Sequence, residues 1–303
     1  MNILVTLNDN YIRPLFIMLE SLFSHEKTPM NIYMFYSDVS KENRRRLDRY
    51  IKSQGSCFIP VYVEEDVFQN APVFRYFTKE MYYRLLCSRL IPGTEERVLY
   101  LDPDILIRGE ISPLYEMDFS GKQVIAIEDY AVKHMLTDKK EAIGFTKEDT
   151  YVNSGVLLFN LKKMREDFVL EDFIRILEQY SEVVSFPDQD IINLYFKEDI
   201  KLAERIYNYN TGYGSMGGML MYILGWKREE QEPVIVHYMG KSKPWQVDYY
   251  GKYFFEYYKY LKKYLNWKGK ILFAFKPCYV IAKMAKAMYR KYFNLMKREE
   301  RDK

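Results

Sequence analysis

Leu99-Tyr100-Leu101-Asp102-Pro103-Asp104-Ile105-Leu106 is an apolar run interrupted by two carboxylates one residue apart. Val98–Leu101 (VLYL) has the length and the apolar, aromatic content of a buried strand. In extended chain, residues i and i+2 point to the same side. Asp102 and Asp104 are therefore expected to converge on one hard cation. Oxygen ligands suit Mg²⁺ or Mn²⁺, ions that commonly complete their shell with ligand phosphates. Taken alone, this spacing more often marks a polar strand end than a metal site. Its weight comes from its surroundings.

Upstream, Met1–Thr6 (MNILVT) reads as a first strand, Asn8-Asp9-Asn10 as a polar turn, and Tyr11–Phe23 as a helix. Further strands are predicted over Met30–Tyr36, Phe58–Val63, Val124–Ile127 and Gly155–Leu161, the last preceded by Asn153-Ser154. Helices are predicted from Ser40 to Tyr50, over Lys79–Leu90, over 168–180, and from Asp190 onward. This alternation to about residue 200 predicts an α/β fold with a mostly parallel central sheet and helices on both faces. Ligands of such sheets gather at the carboxyl ends of the strands. Residues 207–225, rich in Gly, Tyr and Met, read as loop with a short helix.

A late strand, Val234–His237, again ends in a residue able to bind metal. It opens the pattern His237-x-x-Gly240-x-x-Lys243-Pro244-Trp245. A histidine at a strand end is usually structural. Here glycine permits close backbone approach, and Lys241 and Lys243 supply charge for a diphosphate.

The chain has 303 residues, 48% of them hydrophobic and 17% aromatic, which sets aside extended disorder. Cys57, Cys87 and Cys278 form no CxxC, so neither a disulfide framework nor a zinc site is expected. The N-terminus lacks the basic and apolar regions of a signal peptide, and no apolar run is long enough to span a bilayer. Residues 252–303 hold 15 Lys+Arg against 4 Asp+Glu, whereas residues 1–251 hold 30 against 38. An acidic body with a basic tail points to an anionic partner for the tail.

These ordered motifs resemble glycosyltransferase family 8, the retaining transferases that include glycogenin and bacterial lipopolysaccharide galactosyl- and glucosyltransferases. The resemblance covers roughly residues 1–250. It rests on Asn8-Asp9-Asn10-Tyr11, Tyr83-Arg84-Leu85, Tyr100-Leu-Asp-Pro-Asp104, Asn153-Ser-Gly-Val156, Asp188-Gln-Asp190 and the pattern from His237 to Trp245. It implies a single GT-A type, Rossmann-like domain over 1–250, followed by a basic, aromatic helical tail over 251–303. Asp102, Asp104 and His237 match manganese ligands, with magnesium as the alternative ion. Thr6, Asn8, Asn10 and Tyr11 match the uridine site of a UDP-sugar donor. Asn8 departs from the Asp often found there, but its amide oxygen still accepts from the uracil N3–H. Gly240 and Lys243 match positions that hold the phosphates. Arg84, Asp129, Asn153, Asp188 and Gln189 match positions that contact the donor sugar or lie beside its anomeric carbon.

Retention by double displacement needs a carboxylate nucleophile, and Gln189 is an amide. Front-face attack with Gln189 stabilising an oxocarbenium-like state is the favoured route. Asp188 is either a sugar-hydroxyl holder, the preferred role, or the nucleophile. The implied donor is UDP-glucose or UDP-galactose, and the implied acceptor a glycan or glycolipid of the cell envelope. Beyond Pro277, Ile281, Met284, Met288, Tyr292 and Leu295 share one helical face, with Lys283, Lys286, Arg290 and Lys297 on the other side. That pattern predicts an amphipathic helix on an anionic membrane surface. The expected location is cytoplasmic, peripherally attached to the inner face of the membrane. A nucleic-acid partner is not expected, since the body is acidic and carries no nucleic-acid module. Two rival classes stay open. A sugar-1-phosphate nucleotidyltransferase should show a Gly-rich basic loop where Asn8-Asp9-Asn10 stands. A non-catalytic sugar-nucleotide-binding protein should have lost a site residue.

Overall fold

The computed structural model of the protein describes residues 1–64, 68, 79–211, 231–240, 242–246, 249, 251–274, 282, 286 and 289. Residues 1–210 with 231–237 form one compact unit, and 211–230 with 238–303 form a second.

The first unit opens with β1 (Asn2–Thr6), α1 (Ile12–His25), β2 (Asn31–Tyr36), α2 (Lys41–Ser53) and β3 (Cys57–Tyr62). Then come α3 (Cys87–Leu90), β4 (Arg97–Leu101), β5 (Ile105–Ile107), α4 (Ser112–Tyr115), β6 (Val124–Glu128), α5 (Tyr130–His134) and α6 (Thr137–Glu141). It continues through β7 (Val152–Asn160), α7 (Leu161–Asp167), α8 (Leu170–Tyr180), α9 (Pro187–Tyr195), β8 (Ile200–Ala203), β9 (Tyr209–Asn210) and β10 (Ile235–His237). Seven strands form one sheet in the order β3-β2-β1-β4-β7-β6-β8. Only β7 runs against its neighbours, β4 and β6. Ile3, Leu4, Val5, Val98, Leu99 and Leu101 are all inaccessible to solvent, so the centre of the sheet is covered on both faces. Each such side chain contributes about 1.5–3 kcal/mol on burial.

Three short strands escape a hydropathy reading, β5, β8 and β9, the last within the segment read as loop from residue 207. β5 leaves the main sheet and pairs antiparallel with β10, which pairs in turn with β9. The segment read as a helix over Lys79–Leu90 begins as a 3-10 helix, Lys79–Leu86, before α3. Glu80 through Leu86 are all buried. A segment enclosed on every side has no single apolar stripe to favour the 3.6-residue period, and packing sets the tighter winding. β7 starts at Val152, so Asn153 and Ser154 lie inside the strand rather than before it. α9 starts at Pro187, which puts Asp188 and Gln189 in its first turn. A separate helix, α7, precedes the one read over 168–180, and the Asn160 side chain caps it through the Lys163 N–H at 3.1 Å.

The second unit contains α10 (Phe254–Leu261) and α11 (Trp267–Ala274). Phe273 is buried and stacks on Phe254 and Tyr258, with ring centroids 6.2 and 5.8 Å away. Among the described residues no helix is long and apolar enough to cross a membrane. Most of the 207–225 loop, Lys241 and the amphipathic face expected after Pro277 lie outside the described residues.

Candidate active site

Strand register explains why the two aspartates and the distant histidine meet. β4 ends at Leu101, the chain turns through Asp102-Pro103-Asp104, and β5 begins at Ile105. Antiparallel pairing of β10 with β5 sets His237 opposite Ile105, one residue beyond Asp104. The carboxylates thus converge across a turn, not along an extended strand as the spacing suggested. His237 Nε2 lies 3.3 Å from Asp104 Oδ1 and 3.6 Å from Asp102 Oδ2. An ion with bonds of about 2.1 Å holds neighbouring ligand atoms roughly 3.0–4.2 Å apart, so the three fit a hard divalent cation. His237 and Asp104 are buried, while the Asp102 side chain is 22% exposed. Gly155 on β7 completes the cradle: its carbonyl accepts from the Asp102 N–H at 2.8 Å. A Cβ at that position would stand 2.2 Å from His237 Cε1 and 2.7 Å from Asp102 Oδ2.

Beside this cluster lies Arg84, 3% exposed. Its Nη2 is 3.4 Å from Asp188 Oδ2 and 3.6 Å from Asp102 Oδ1, and its Nη1 donates to the Ser154 carbonyl. The guanidinium also stacks on the Tyr100 ring at 4.0 Å. Burial works against its charge, but Tyr100 and the nearby Asp102, Asp188 and Asp104 outweigh that and raise its pKa. For Asp188 the balance tips the other way. Burial raises its pKa above the ordinary carboxylate range despite the opposing pull of Arg84 and the hydrogen bond from Ser154 Oγ at 2.9 Å. Tyr100 donates its hydroxyl proton to Asp102 Oδ1. Thr6 reaches the same hydroxyl at 3.3 Å, which ties it through Tyr100 to a carboxylate of the Asp102–Asp104–His237 cluster.

Amides and one carboxylate make up the remainder. Asp129 caps α5, taking the Ala131 and Val132 N–H groups on Oδ1. Its Oδ2 accepts from Gln189 Nε2 at 3.1 Å and Asn153 Nδ2 at 3.4 Å. Gln189 Oε1 accepts from Asn153 Nδ2 at 2.6 Å and from the Ser154 N–H at 3.2 Å. A cation cradle beside oriented amides and a buried carboxylate supplies the groups that a diphosphate and a polyhydroxylated ligand require.

Asp102, Asp104, His237, Arg84, Asp129, Asn153, Asp188 and Gln189 therefore come together in the first unit. Asn8, Asn10 and Tyr11 sit at the carboxyl end of β1 in a short 3-10 turn. The Asn8 oxygen expected to meet uracil here accepts from the Asn10 N–H at 3.1 Å, and its second lone pair is what remains for a ligand. Gly240 and Lys243 belong to the second unit; Gly240 adopts φ +81°, and Lys243 Nζ donates to the Tyr238 carbonyl at 2.8 Å. Sequence reading did not single out Tyr100, Ser154, Gly155 or Asn208 as site residues. The first three stand inside quoted motifs, whereas nothing in the pattern around Asn208 marks it.

A model described as glycosyl transferase family 8 matches residues 2–248. Glycosyltransferase GlyF of Streptococcus pneumoniae serotype 4 is 27% identical over 250 residues, 81% of this chain and 57% of that protein, so the chain spans little more than half the length of that relative. Lipopolysaccharide 1,2-glucosyltransferase of Escherichia coli K12 is 25% identical, with 81% of this chain and 72% of that protein covered. Among solved structures, the galactosyltransferase LgtC in complex with donor and acceptor sugar analogs superposes with a TM-score of 0.76 at 25% identity. That match covers 87% of this chain and 96% of LgtC, and the two share the GT-A fold.

Proposed function

The chain belongs to glycosyl transferase family 8, and from that membership we propose a retaining, metal-dependent transferase that moves glucose or galactose from a UDP-sugar to a glycan or lipid-linked envelope acceptor. The observation that carries this reading is the convergence of Asp102, Asp104 and His237 beside the buried Arg84, Asp188 and Gln189. Asp102, Asp104 and His237 hold manganese or magnesium, which when bound offsets the charge growing on the leaving diphosphate. Thr6, Asn8, Asn10 and Tyr11 serve the uridine, and Gly240 and Lys243 the phosphates. Residues 1–250 carry the transferase, and 251–303 attach it to the inner face of the membrane.

Asp188 holds a sugar hydroxyl, its carboxylate itself fixed by Arg84 and Ser154. Gln189 presents an oriented amide to the reacting face, with Asn153 and the Ser154 N–H holding its oxygen. A dipole fixed in a buried site stabilises developing charge without reorganising. An amide oxygen is a poor nucleophile, which favours front-face attack. The acceptor oxygen bonds to the anomeric carbon as the carbon–phosphate oxygen bond breaks, and the acceptor proton passes to the leaving diphosphate.

UDP release from a panel of UDP-sugars, with Mn²⁺ and then with EDTA, tests the reading. Slow hydrolysis of one donor, lost in EDTA and restored by Mn²⁺, is expected. A protein that binds no UDP in Mn²⁺ and hydrolyses no donor would move the assignment to a non-catalytic binding protein.

A further inference from the structure

Asn208 links the two halves of this site. It lies in the 3-10 turn Arg205–Asn208, just before β9, and is 5% exposed. Its Oδ1 is 3.0 Å from His237 Nδ1, and its Nδ2 donates to Asn153 Oδ1 at 2.8 Å.

Two backbone groups, whose chemistry is unambiguous, fix the direction of every bond in this chain of amides. The Gly155 N–H donates to Asn153 Oδ1 at 3.0 Å, so that atom is the oxygen. The atom of Asn208 facing it must then be the NH₂ group, and the atom of Asn208 facing His237 must be its oxygen. An oxygen accepts, so His237 carries its proton on Nδ1. The Nε2 lone pair is left facing Asp102 and Asp104. In parallel, the Ser154 N–H fixes Gln189 Oε1, which turns the Gln189 NH₂ toward Asp129.

We propose that Asn208 is a positioning residue that locks His237 in the Nδ1–H tautomer, holding Nε2 as a metal ligand, and that through Asn153 it couples the metal cradle to the Gln189–Asp129 sugar site. The coupling to a metal rests on the function proposed above; the tautomer does not. Hydrogen bonds of this kind to the distal nitrogen of a ligating histidine typically change metal affinity 10–100-fold. Because His237 Nδ1 and Gln189 join through three side-chain hydrogen bonds, anything that rotates the Asn153 amide also releases the histidine.

The chain has 3 histidines, so ¹⁵N-labelled imidazole spectra are simple. At a pH where His237 is neutral, the metal-free wild type should show the Nδ1–H tautomer. Asn208→Ala should show a mixture shifted toward Nε2–H and bind Mn²⁺ about 10–100-fold more weakly by calorimetry. Asn208→Asp keeps an acceptor for Nδ1–H and should keep the tautomer while losing the donated bond to Asn153. An Asn208→Ala protein with an unchanged tautomer and unchanged Mn²⁺ affinity overturns the proposal; should that variant not fold, an Nε2–H signal from Asn208→Asp or from the wild type does the same. Wild-type His237 resonances that ignore Mn²⁺ would instead overturn the metal reading, a different result on the same samples.

Discussion

At the scale of single residues, the site depends as much on a missing side chain as on those present. Gly155 lies opposite Asp102, where β7 passes the turn that carries both aspartates. With an added Cβ only 2.2 Å from His237 Cε1 and 2.7 Å from Asp102 Oδ2, either β7 shifts or the imidazole leaves its place. Overpacking of this kind costs about 1–3 kcal/mol in a tight interior. Gly155→Ala should therefore fold, melt slightly lower, and lack the Mn²⁺-dependent rise in Tm expected of wild type, with turnover down by about 10² or more for a misplacement of roughly an ångström. A Gly155→Ala protein whose melting temperature still climbs with Mn²⁺ as in wild type would show that the cradle does not need this space. Asp188 carries the opposite burden, a carboxylate buried deeply enough that its pKa rises in spite of Arg84. Groups held against their solvation in this way recur where chemistry is done.

At the scale of elements, the amide side of the candidate site lies at the seam between β7 and α9. Asn193, 1% exposed on α9, accepts from the Val152 N–H at 2.7 Å and donates to the Val152 carbonyl at 2.8 Å. It thereby clamps the start of β7 to α9 and fixes how Asp188 and Gln189 face Asn153 and Ser154. Asn193→Ala leaves two buried backbone groups unpaired, a cost of about 2–6 kcal/mol at 1–3 each. Denaturant unfolding should register that loss, and kcat should fall more than KM rises, since the amides lose their alignment. A variant as stable and active as wild type would remove Asn193 from this role. The same seam shows what a sequence conveys. Apolar strands β1, β2, β4 and β6 were legible within a residue or two, because both faces of their sheet are buried and the runs are continuous. The first residues of β7 were not, because Asn153 and Ser154 are polar groups buried for the site and satisfied by Gln189 and Asp188. Asp102, Asp104 and His237 stood out as ligand types at strand ends. Asn208 did not, since its role exists only through partners 29 and 55 residues distant in the chain.

At the scale of the whole molecule, charge is distributed unevenly along the chain, and the basic end carries the most testable claim outside the site. α11 is apolar on both of its sides: Phe273 is buried against α10, whereas Trp267, Ile271 and Leu272 are 68%, 50% and 51% exposed. Lys268 and Lys270 flank them and are exposed as well. Beyond Ala274 the sequence adds 9 Lys+Arg and 3 Asp+Glu. At about 1 kcal/mol for each basic residue near an anionic surface, the net excess amounts to roughly 6 kcal/mol at most, screened within a Debye length of about 10 Å at 0.1 M salt. A chain ending at Ala274 keeps the Phe273 stack and loses together the basic residues beyond it and the apolar set Ile281, Met284, Met288, Tyr292 and Leu295. That variant should bind UDP as wild type does, yet sediment with phosphatidylglycerol vesicles at least 100-fold more weakly. Wild-type binding should itself fall steeply between 0.1 and 0.5 M NaCl and be weak on phosphatidylcholine alone. If the shortened chain sediments as well as wild type, α11 with its exposed Trp267, Ile271 and Leu272 and its flanking Lys268 and Lys270 suffices, and the residues beyond Ala274 have no part in membrane attachment.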